Sequence, residues 1–255
     1  MGFIYALANQ KGGVGKTTTA INLGAYLAQA GKRVLLVDID PQANATSSLG
    51  IDKQTVKSGT YEALLEIVPA SSSILHNSRL NMSLLPASPA LAGAEVELVN
   101  ELARESRLKR ALEPITERYD YLLVDCPPSL GLLTLNGLVA AIDGVIIPVQ
   151  CEYLALEGLG QLTQTLERVR TAICPNLQVR GVVLTMFDAR TNLSNDVVAE
   201  VRRYFSEQVF ESVIPRSVRL AEAPSYGLPI SVYDPKSSGG EAYQALANEV
   251  LAADK

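Results

Sequence analysis

Histidine and cysteine are scarce in this sequence, and their scarcity removes several kinds of chemistry. The single histidine, His76, lies in a polar stretch, which excludes a histidine-based catalytic triad and a histidine-rich metal site. The three cysteines, Cys126, Cys151 and Cys174, are odd in number and have no C-x-x-C spacing. We therefore expect them to be small buried hydrophobic residues of a protein in a reducing compartment.

An uninterrupted apolar run of membrane-spanning length is also missing. The most apolar window, residues 130–149, contains Asn136, Asp143, Gly144 and Pro148, which predicts a helix followed by a buried strand. We find no secretory leader and expect a cytosolic protein without a membrane partner. Net positive charge is lacking as well, because 22 basic and 27 acidic side chains give −5. This balance disfavours a surface that is basic throughout but leaves room for a local basic patch.

Apolar segments of strand length alternate with helical periodicity along the 255 residues. The predicted strands are residues 3–8, 33–37, 121–124, 145–149, 179–186 and 209–214. Four helices are predicted. The first begins at Thr17 and ends before Gly31, the third spans 196–205 with Ser194 or Asn195 as its cap, and the last spans about 240–251. The second is indicated by one apolar helix face, which consists of Leu156, Leu159, Leu162, Leu166, Val169 and Ile173. This alternation predicts an α/β fold, a doubly wound, mostly parallel sheet flanked by helices, in a single domain of residues 1–255.

A glycine-rich segment follows the first predicted strand. It consists of Lys11, Gly12, Gly13, Val14, Gly15, Lys16, Thr17 and Thr18. The segment departs from G-x-x-x-x-G-K-[ST] because Gln10 occupies the first glycine position. Glycines let backbone N–H groups converge on an anion, the following helix directs its positive end at that anion, Lys16 adds a charge, and the Thr17 hydroxyl can bind Mg²⁺. The order strand, loop, helix therefore predicts a nucleotide phosphate site of the P-loop NTPase kind.

Carboxylates end two further predicted strands at the same edge of the sheet. Asp38 and Asp40 follow the second strand, and Asp125 follows residues 121–124, which is the Walker B pattern. We expect Asp125 to hold Mg²⁺ through a bound water, opposite Thr17. Asp40 is expected to orient and polarise the attacking water, with Asp38 nearer to the metal ion. The alternative for Asp38 and Asp40 is a strand-end turn closed by aspartate and proline.

Lys11 is a second lysine at the mouth of the phosphate loop. A surface lysine is usually only solvated, but this one sits inside the glycine cradle and cannot easily serve the same phosphates as Lys16. A lysine placed there can reach across a two-fold axis to a nucleotide in a partner subunit, as an arginine finger does in trans. This position predicts an ATP-dependent homodimer with nucleotide between the protomers.

Together these segments resemble the deviant-Walker-A ATPases of the ParA/Soj type. The resemblance covers residues 11–18, 38–42 (DIDPQ), 125–129 (DCPPS), 148–152 (PVQCE), 184–192 (LTMFDARTN) and 214–224 (IPRSVRLAEAP), and extends from about residue 3 to residue 250. It implies a deviant-Walker-A P-loop fold and slow ATP hydrolysis with Mg²⁺. It also implies an ATP-bound dimer that binds double-stranded DNA without sequence preference and segregates chromosomes or plasmids. A ParB-type centromere-binding partner would stimulate hydrolysis and release the protein from the nucleoid.

The resemblance also assigns roles to particular residues. It implies that Lys11 contacts the partner's nucleotide, that Asp40 is the hydrolytic residue and joins Thr17 and Asp125 around the metal, and that Pro215 to Ser217 lie against the base. The DNA-binding candidates are Arg190, Arg216 and Arg219, with Arg202, Arg203 and Lys236 as flanking residues. Residues 178–236 hold seven basic and seven acidic side chains, so composition alone is equally typical of solvated surface arginines.

Three other functions compete with this interpretation. A membrane-recruited ATPase of the MinD type would need a basic amphipathic helix near the end of the chain, where residues 247–255 are instead short and acidic. An iron–sulfur reductase similar to the nitrogenase iron protein would use Cys126 in the loop after Asp125. A nucleoid-bound ATPase that positions a protein cargo would share all the nucleotide chemistry, and the sequence barely separates it from a partitioning protein.

Overall fold

The computed structural model describes residues 2–152 and 154–254, and the side chains of residues 154–159, 161 and 162 lie outside the described part. The strands are β1 (Phe3–Leu7), β2 (Val34–Asp38), β3 (Leu75–Asn77), β4 (Met82–Leu85), β5 (Tyr121–Asp125), β6 (Gly144–Gln150), β7 (Val179–Phe187) and β8 (Val209–Pro215). The α-helices are α1 (Lys16–Gln29), α2 (Asn44–Ser48), α3 (Thr60–Leu64), α4 (Leu91–Glu97), α5 (Arg107–Leu112), α6 (Leu132–Ala140), α7 (Leu154–Ala172), α8 (Asn192–Phe205), α9 (Val218–Glu222), α10 (Ile230–Tyr233) and α11 (Ser238–Ala253).

In the described part of the chain the strands form one sheet in the order β3-β4-β2-β5-β1-β6-β7-β8. β3 pairs with β4 in antiparallel fashion, and the other neighbouring strands are parallel. Helices cover both faces, so the predicted doubly wound, mostly parallel α/β sheet is confirmed. The apolar window at residues 130–149 is α6 followed by β6, as predicted. No helix within the described residues has the length and apolarity required to cross a membrane.

Burial on both faces explains the nearly continuous apolar sequence of the central strands. In β1, Ile4 and Ala6 belong to one hydrophobic cluster, whereas Tyr5 and Leu7 belong to the cluster on the opposite face. Residues of α1 and α11 complete the cluster around Tyr5, and residues of α5, α6 and α8 complete the cluster around Ile4. The two layers hold β1 at the centre of the molecule.

Two details of the elements differ from the sequence predictions. β3 and β4 were not predicted, because β3 is a short edge strand whose residues are largely exposed and lack alternation. The cap of α8 is Thr191, whose hydroxyl accepts a hydrogen bond from the Ser194 backbone N–H, so the expectation of Ser194 or Asn195 as cap was wrong. Ser194 instead lies in the first helical turn. Of the predicted apolar face of α7, Leu166 and Val169 are buried, whereas Ile173 follows the end of the helix and is exposed, so its assignment to that face was wrong. Leu156, Leu159 and Leu162 fall outside the described side chains.

The strand order places a crevice at the carboxyl end of β1. β1 lies between β5 and β6, and the connection through α1 leads towards β2 while the connection through α6 leads to β6 on the other side. Where connections diverge in this way, the crevice at the carboxyl ends of the strands is the usual ligand site of a doubly wound sheet. The glycine-rich loop between β1 and α1 therefore lies at that point.

Candidate nucleotide site

The glycine-rich loop has the backbone conformation of an anion cradle. Gly13 (φ 74°) and Gly15 (φ 89°) are left-handed, a conformation that favours glycine. Val14 between them is buried, whereas Gly12 and Gly13 are exposed. Gly15 is the N-cap of α1, so the helix begins at Lys16. The N–H groups of the first helical turn have no intrahelical acceptor and face the loop, which makes this end of α1 attractive to phosphate.

Two side chains that sequence reasoning missed hold the loop in place. Asn9 donates from Nδ2 to the Pro148 carbonyl (2.8 Å) and accepts at Oδ1 from the Lys11 backbone N–H (3.0 Å). Thr185, in β7, donates from Oγ1 to the Val14 carbonyl (2.9 Å). These bonds attach both halves of the loop to β6 and β7. The only sequence signals were the position of Asn9 next to the loop and that of Thr185 near the end of a predicted strand.

The two lysines of the loop occupy different environments. Lys16 is buried and its Nζ donates to the Lys11 carbonyl (3.1 Å). Burial lowers the pKa of Lys16, and the nearby carboxylates, Asp125 foremost, offset part of that effect. Lys11 is half-exposed, and its side chain forms no ion pair within the described part of the chain. Its ammonium group is therefore available for a charge outside this protomer.

Asp125 is a buried carboxylate that has no hydrogen-bond partner among the described residues. It is fully buried at the end of β5, and neither oxygen accepts a hydrogen bond from a described residue. Burial raises its pKa well above the usual range, and the Asp38 carboxylate adds to the effect. The Thr17 hydroxyl lies close to Asp125 and partly offsets the rise in the pKa of Asp125. The two groups do not have the geometry of a hydrogen bond. A hydroxyl beside an unpartnered carboxylate is a donor set that fits Mg²⁺ and its bound waters.

Asp38 and Asp40 differ in how their oxygens are used. Both oxygens of the buried Asp38 carboxylate accept hydrogen bonds, from the Asp40 N–H (3.2 Å) and from the Thr46 N–H (2.8 Å) and hydroxyl (2.7 Å). Its pKa is raised to about 6, mainly by burial. Asp40 accepts only the Gln42 N–H (2.9 Å) at Oδ1 among the described residues. Asp38 therefore uses both oxygens to hold the turn, whereas the second Asp40 oxygen accepts no hydrogen bond from a described residue.

A cavity of about 270 Å³ adjoins the phosphate loop. Gly15 and Thr18 line it on the loop side, and Pro215 and Ser217 line it at the end of β8. Ser217 also caps α9, where its hydroxyl accepts from the Leu220 N–H (3.4 Å). The structure thus brings the predicted base-contacting residues next to the predicted phosphate-binding residues, with space between them.

The three candidate DNA-binding arginines are exposed near the same edge of the sheet, and each is paired with an acid of its own chain. The pairs are Arg190–Asp188 (2.7 Å), Arg216–Glu152 (3.0 Å) and Arg219–Glu222 (3.0 Å). The Arg190 guanidinium holds the pKa of Asp188 well below its usual range. Each guanidinium charge is therefore partly balanced by an acid of the same protomer. The exposed faces of the arginines remain accessible.

The flanking basic residues divide between the two edges of the sheet. Arg202, near the end of α8, pairs with Glu211 (3.2 Å) in the first half of β8. Arg203 pairs with Glu200 on the same helix (2.7 Å). Because α8 runs back from the carboxyl edge, both lie towards the opposite edge from Arg190, whereas the exposed Lys236 precedes α11 on the nucleotide side.

Cys126 and Cys151 are buried, whereas Cys174 is only half-buried, so the expectation of three buried cysteines holds for two of them. Cys126 is buried at the end of β5 against α6, so close that a side chain at Gly137 would lie 2.5 Å from its sulfur. Burial raises the pKa of Cys126, and raises that of the buried Cys151 to about 11. Thiols in such positions are poor metal ligands and nucleophiles, which removes the main support for a cluster bridged across a dimer.

The fold and the loop, with Lys16, Asp125 and Asp40 converging at the switch point, define a P-loop ATPase. The model of a family described as "AAA domain" matches residues 2–179. The chain is 57% identical to the sporulation initiation inhibitor protein Soj of Bacillus subtilis, covering 99% of each chain. It is 56% identical to the chromosome partitioning protein ParA of Myxococcus xanthus, covering 100% of this chain and 89% of that protein.

A solved structure adds a third comparison. Cobyrinic acid a,c-diamide synthase from Mycobacterium smegmatis, with bound ADP and magnesium, superposes with a TM-score of 0.87 at 42% identity, covering 98% of this chain and 94% of that one.

Because the Soj and ParA relatives match this chain over nearly its whole length, the chain belongs to the ParA/Soj family of chromosome-partitioning ATPases. The resemblance drawn from its sequence is confirmed.

Proposed function

We propose that residues 1–255 act as a single-domain, ATP-dependent dimerising switch that binds double-stranded DNA without sequence preference. In this proposal the protein segregates chromosomes or plasmids on the nucleoid in the cytoplasm, and a ParB-type partner stimulates its slow ATP hydrolysis. The observation that carries the proposal is the common carboxyl edge of the sheet. The cavity beside the phosphate loop, the Lys11 ammonium, which forms no ion pair with a described residue, and the exposed arginines Arg190 and Arg219 lie at that edge.

The chemistry assigned to the site is phosphoryl transfer to water. The loop N–H groups and Lys16 bind the phosphates, and Pro215 and Ser217 line the space for the base. Mg²⁺, held by Thr17 and by Asp125 through bound water, would neutralise charge that develops on the phosphates. Asp40, with one oxygen held by the Gln42 N–H, would use the other to orient the attacking water and would join Thr17 and Asp125 in holding the metal. The ADP and magnesium of the Mycobacterium smegmatis structure support this assignment.

Dimerisation supplies the charge that one protomer lacks. The Lys11 backbone is tied to Asn9, while its ammonium group extends from a half-exposed position at the mouth of the loop. Across a two-fold axis the two Lys11 side chains would each reach the other protomer's phosphates, so that ATP holds the dimer together. Hydrolysis then weakens the interface by removing the terminal phosphate.

Helix α9 offers a route from nucleotide to DNA. Ser217 at its cap and Leu220 and Ala221 within it line the nucleotide cavity, while Arg219 on the same helix is exposed. A base bound in the cavity would fix α9 and so the direction of Arg219. DNA binding by such arginines rests on phosphate contacts and is independent of sequence.

Two alternatives share the same ATPase chemistry. A cargo-positioning ATPase differs only in its partner. A MinD-like ATPase would insert a terminal helix into a membrane, but α11 packs Tyr243, Leu246 and Val250 into the core, which leaves no apolar face free on the described helix. Amide synthesis, suggested by the name of the Mycobacterium smegmatis protein, would show as nucleotide-dependent ligation and not as DNA binding.

The proposal is tested by measuring binding to two DNA duplexes of unrelated sequence, at fixed salt, with MgATP, with MgADP and without nucleotide. We expect equal binding to both duplexes, with MgATP only. The double variant Arg190→Ala/Arg219→Ala should lower the dependence of log affinity on log salt by about two, one for each lost phosphate contact, and should still dimerise with ATP.

The matched control is Arg202→Ala/Arg203→Ala, which removes the same charge at the other edge of the sheet and should leave the salt dependence unchanged. Normal ATP hydrolysis without DNA binding in any nucleotide state would refute the proposed output. ATP-dependent flotation with anionic vesicles would then support the membrane alternative, and its absence would leave a protein cargo.

A further inference from the structure

Thr46 is a buried threonine of α2 that lies outside the nucleotide cavity. Its side chain is fully buried, yet its hydroxyl makes two hydrogen bonds. The hydroxyl donates to Asp38 Oδ2 (2.7 Å) and accepts from the Ala87 backbone N–H (2.9 Å). The Thr46 backbone N–H donates to the same Asp38 oxygen (2.8 Å). One residue therefore holds a carboxylate at the end of β2 and the chain that follows β4.

The other Asp38 oxygen holds the backbone of the proposed hydrolytic residue. Asp38 Oδ1 accepts from the Asp40 N–H at 3.2 Å, so the Asp38 carboxylate joins Thr46 to Asp40. The Asp38 backbone is fixed separately, because its carbonyl accepts from the Thr60 hydroxyl (2.6 Å). The orientation of the carboxylate, as distinct from the position of the strand end, thus depends on Thr46.

We propose that Thr46 is a positioning residue for ATP hydrolysis, acting through Asp38 on Asp40. The inference rests on the hydrolytic role proposed for Asp40. Without the hydroxyl, Asp38 loses one of its two donors at Oδ2, and the Ala87 N–H loses its acceptor in a buried place. The Asp38 carboxylate then turns to recover a donor, releases the Asp40 N–H, and lets the free Asp40 oxygen move away from the attacking water.

Positioning predicts a specific kinetic pattern. An ångström of misplacement at a reacting centre can reduce turnover by about 10²-fold. Ground-state binding of ATP should not change, because none of the hydrogen bonds described for Thr46 goes to a residue that lines the cavity or forms the phosphate loop. We therefore expect the loss of the Thr46 hydroxyl to lower kcat and to leave KM nearly constant.

The test compares kcat and KM for MgATP hydrolysis by the full chain and three variants. Thr46→Val removes the hydroxyl at nearly constant shape, Thr46→Ser retains it, and Thr116→Val is the matched control. Thr116 is also buried, and its hydroxyl donates to the Leu112 carbonyl (3.0 Å) far from the site. We expect Thr46→Val to lower kcat about tenfold or more with KM within about twofold, and Thr46→Ser to stay within about threefold of the natural chain.

Thermal unfolding separates positioning from stability. Both valine variants should unfold at lower temperature, but Thr116→Val should keep its kcat. The inference is overturned if Thr46→Val keeps kcat, or if Thr116→Val loses as much. Asp40→Ala, measured in parallel, keeps the two claims distinct: normal turnover in Asp40→Ala removes the role of Asp40 itself, whereas slow turnover there with a normal Thr46→Val removes only the role of Thr46.

Discussion

Replacing Asp125 by asparagine should stabilise the nucleotide-free protein while removing its response to MgATP. In the natural chain this carboxylate is fully buried, has no hydrogen-bond donor among the described residues, and faces the Asp38 carboxylate at the same register position of neighbouring strands. Burial and that second carboxylate both raise its pKa. Asp125→Asn keeps the shape of the side chain and removes the charge.

The size of the effect follows from the missing partners. A buried polar group without a hydrogen bond costs about 1–3 kcal/mol, and a charged one costs more. Because the asparagine amide would itself lack full partners, we take a net gain of about 2 kcal/mol in the free energy of unfolding. In a domain of this size that corresponds to an unfolding midpoint higher by about 4–8 °C.

The gain should grow with pH. A folded-state pKa above the unfolded value means that the folded protein favours the protonated carboxyl. The destabilisation in the natural chain is therefore absent below about pH 4, the ordinary range of aspartate, and increases as pH rises towards the folded-state pKa of Asp125. The difference in midpoint between Asp125→Asn and the natural chain should widen from pH 5 to pH 8 on this account.

The assay is thermal unfolding with and without MgATP. Ligand at a hundred times its Kd stabilises the natural chain by about 2.7 kcal/mol. Asp125→Asn should lose most of that shift, because it removes the carboxylate proposed to hold Mg²⁺. Asp254→Asn is a control of opposite sign, since Asp254 accepts from Arg180 at 2.7 Å and its loss leaves a partly buried guanidinium unpaired. An unchanged or lower midpoint for nucleotide-free Asp125→Asn at neutral pH would refute the reasoning.

Two further perturbations test the surface and the packing. Asp188→Asn frees Arg190 from its ion pair and should raise DNA affinity with MgATP up to about fivefold, the upper range for an exposed pair. The control Asp196→Asn makes the same charge change on the first turns of α8 and should raise DNA affinity less. Equal gains in the two variants would contradict the pairing argument. Gly137→Ala places a methyl 2.5 Å from the Cys126 sulfur and should lower the free energy of unfolding by about 1–3 kcal/mol. The double variant Gly137→Ala/Cys126→Ala should recover stability, and its failure to do so would contradict the contact.

The sequence predicted the parts of this molecule that have strong local signals. The parallel strands were predicted from their continuous apolar sequence, because burial on both faces of the sheet constrains residue type. The phosphate loop was predicted from the glycines at positions 13 and 15, because its backbone conformation constrains residue type as well. Edge strand β3 has neither signal, and it was missed. The cap of α8 was misplaced because threonine, serine and asparagine stand together there and each is a good cap.

The supporting side chains could not be predicted, since their partners are distant in sequence. Thr185 contacts the loop from 171 residues away, and Arg216 pairs with Glu152 across 64 residues. A threonine such as Thr46 has no local pattern that separates a network residue from an ordinary helix residue. These contacts form only because the strand order brings the carboxyl ends of β6, β7 and β8 close to the carboxyl end of β1.

Helix α9 has a thermodynamic consequence, because one short element borders the nucleotide cavity through Leu220 and carries Arg219 on its exposed side. Any factor by which nucleotide changes the affinity for DNA must equal the factor by which DNA changes the affinity for that nucleotide. A protein that binds DNA a hundredfold better with ATP therefore holds ATP a hundredfold better on DNA. In the proposed function, the DNA-bound protein would remain loaded at ATP concentrations that leave the free protein empty.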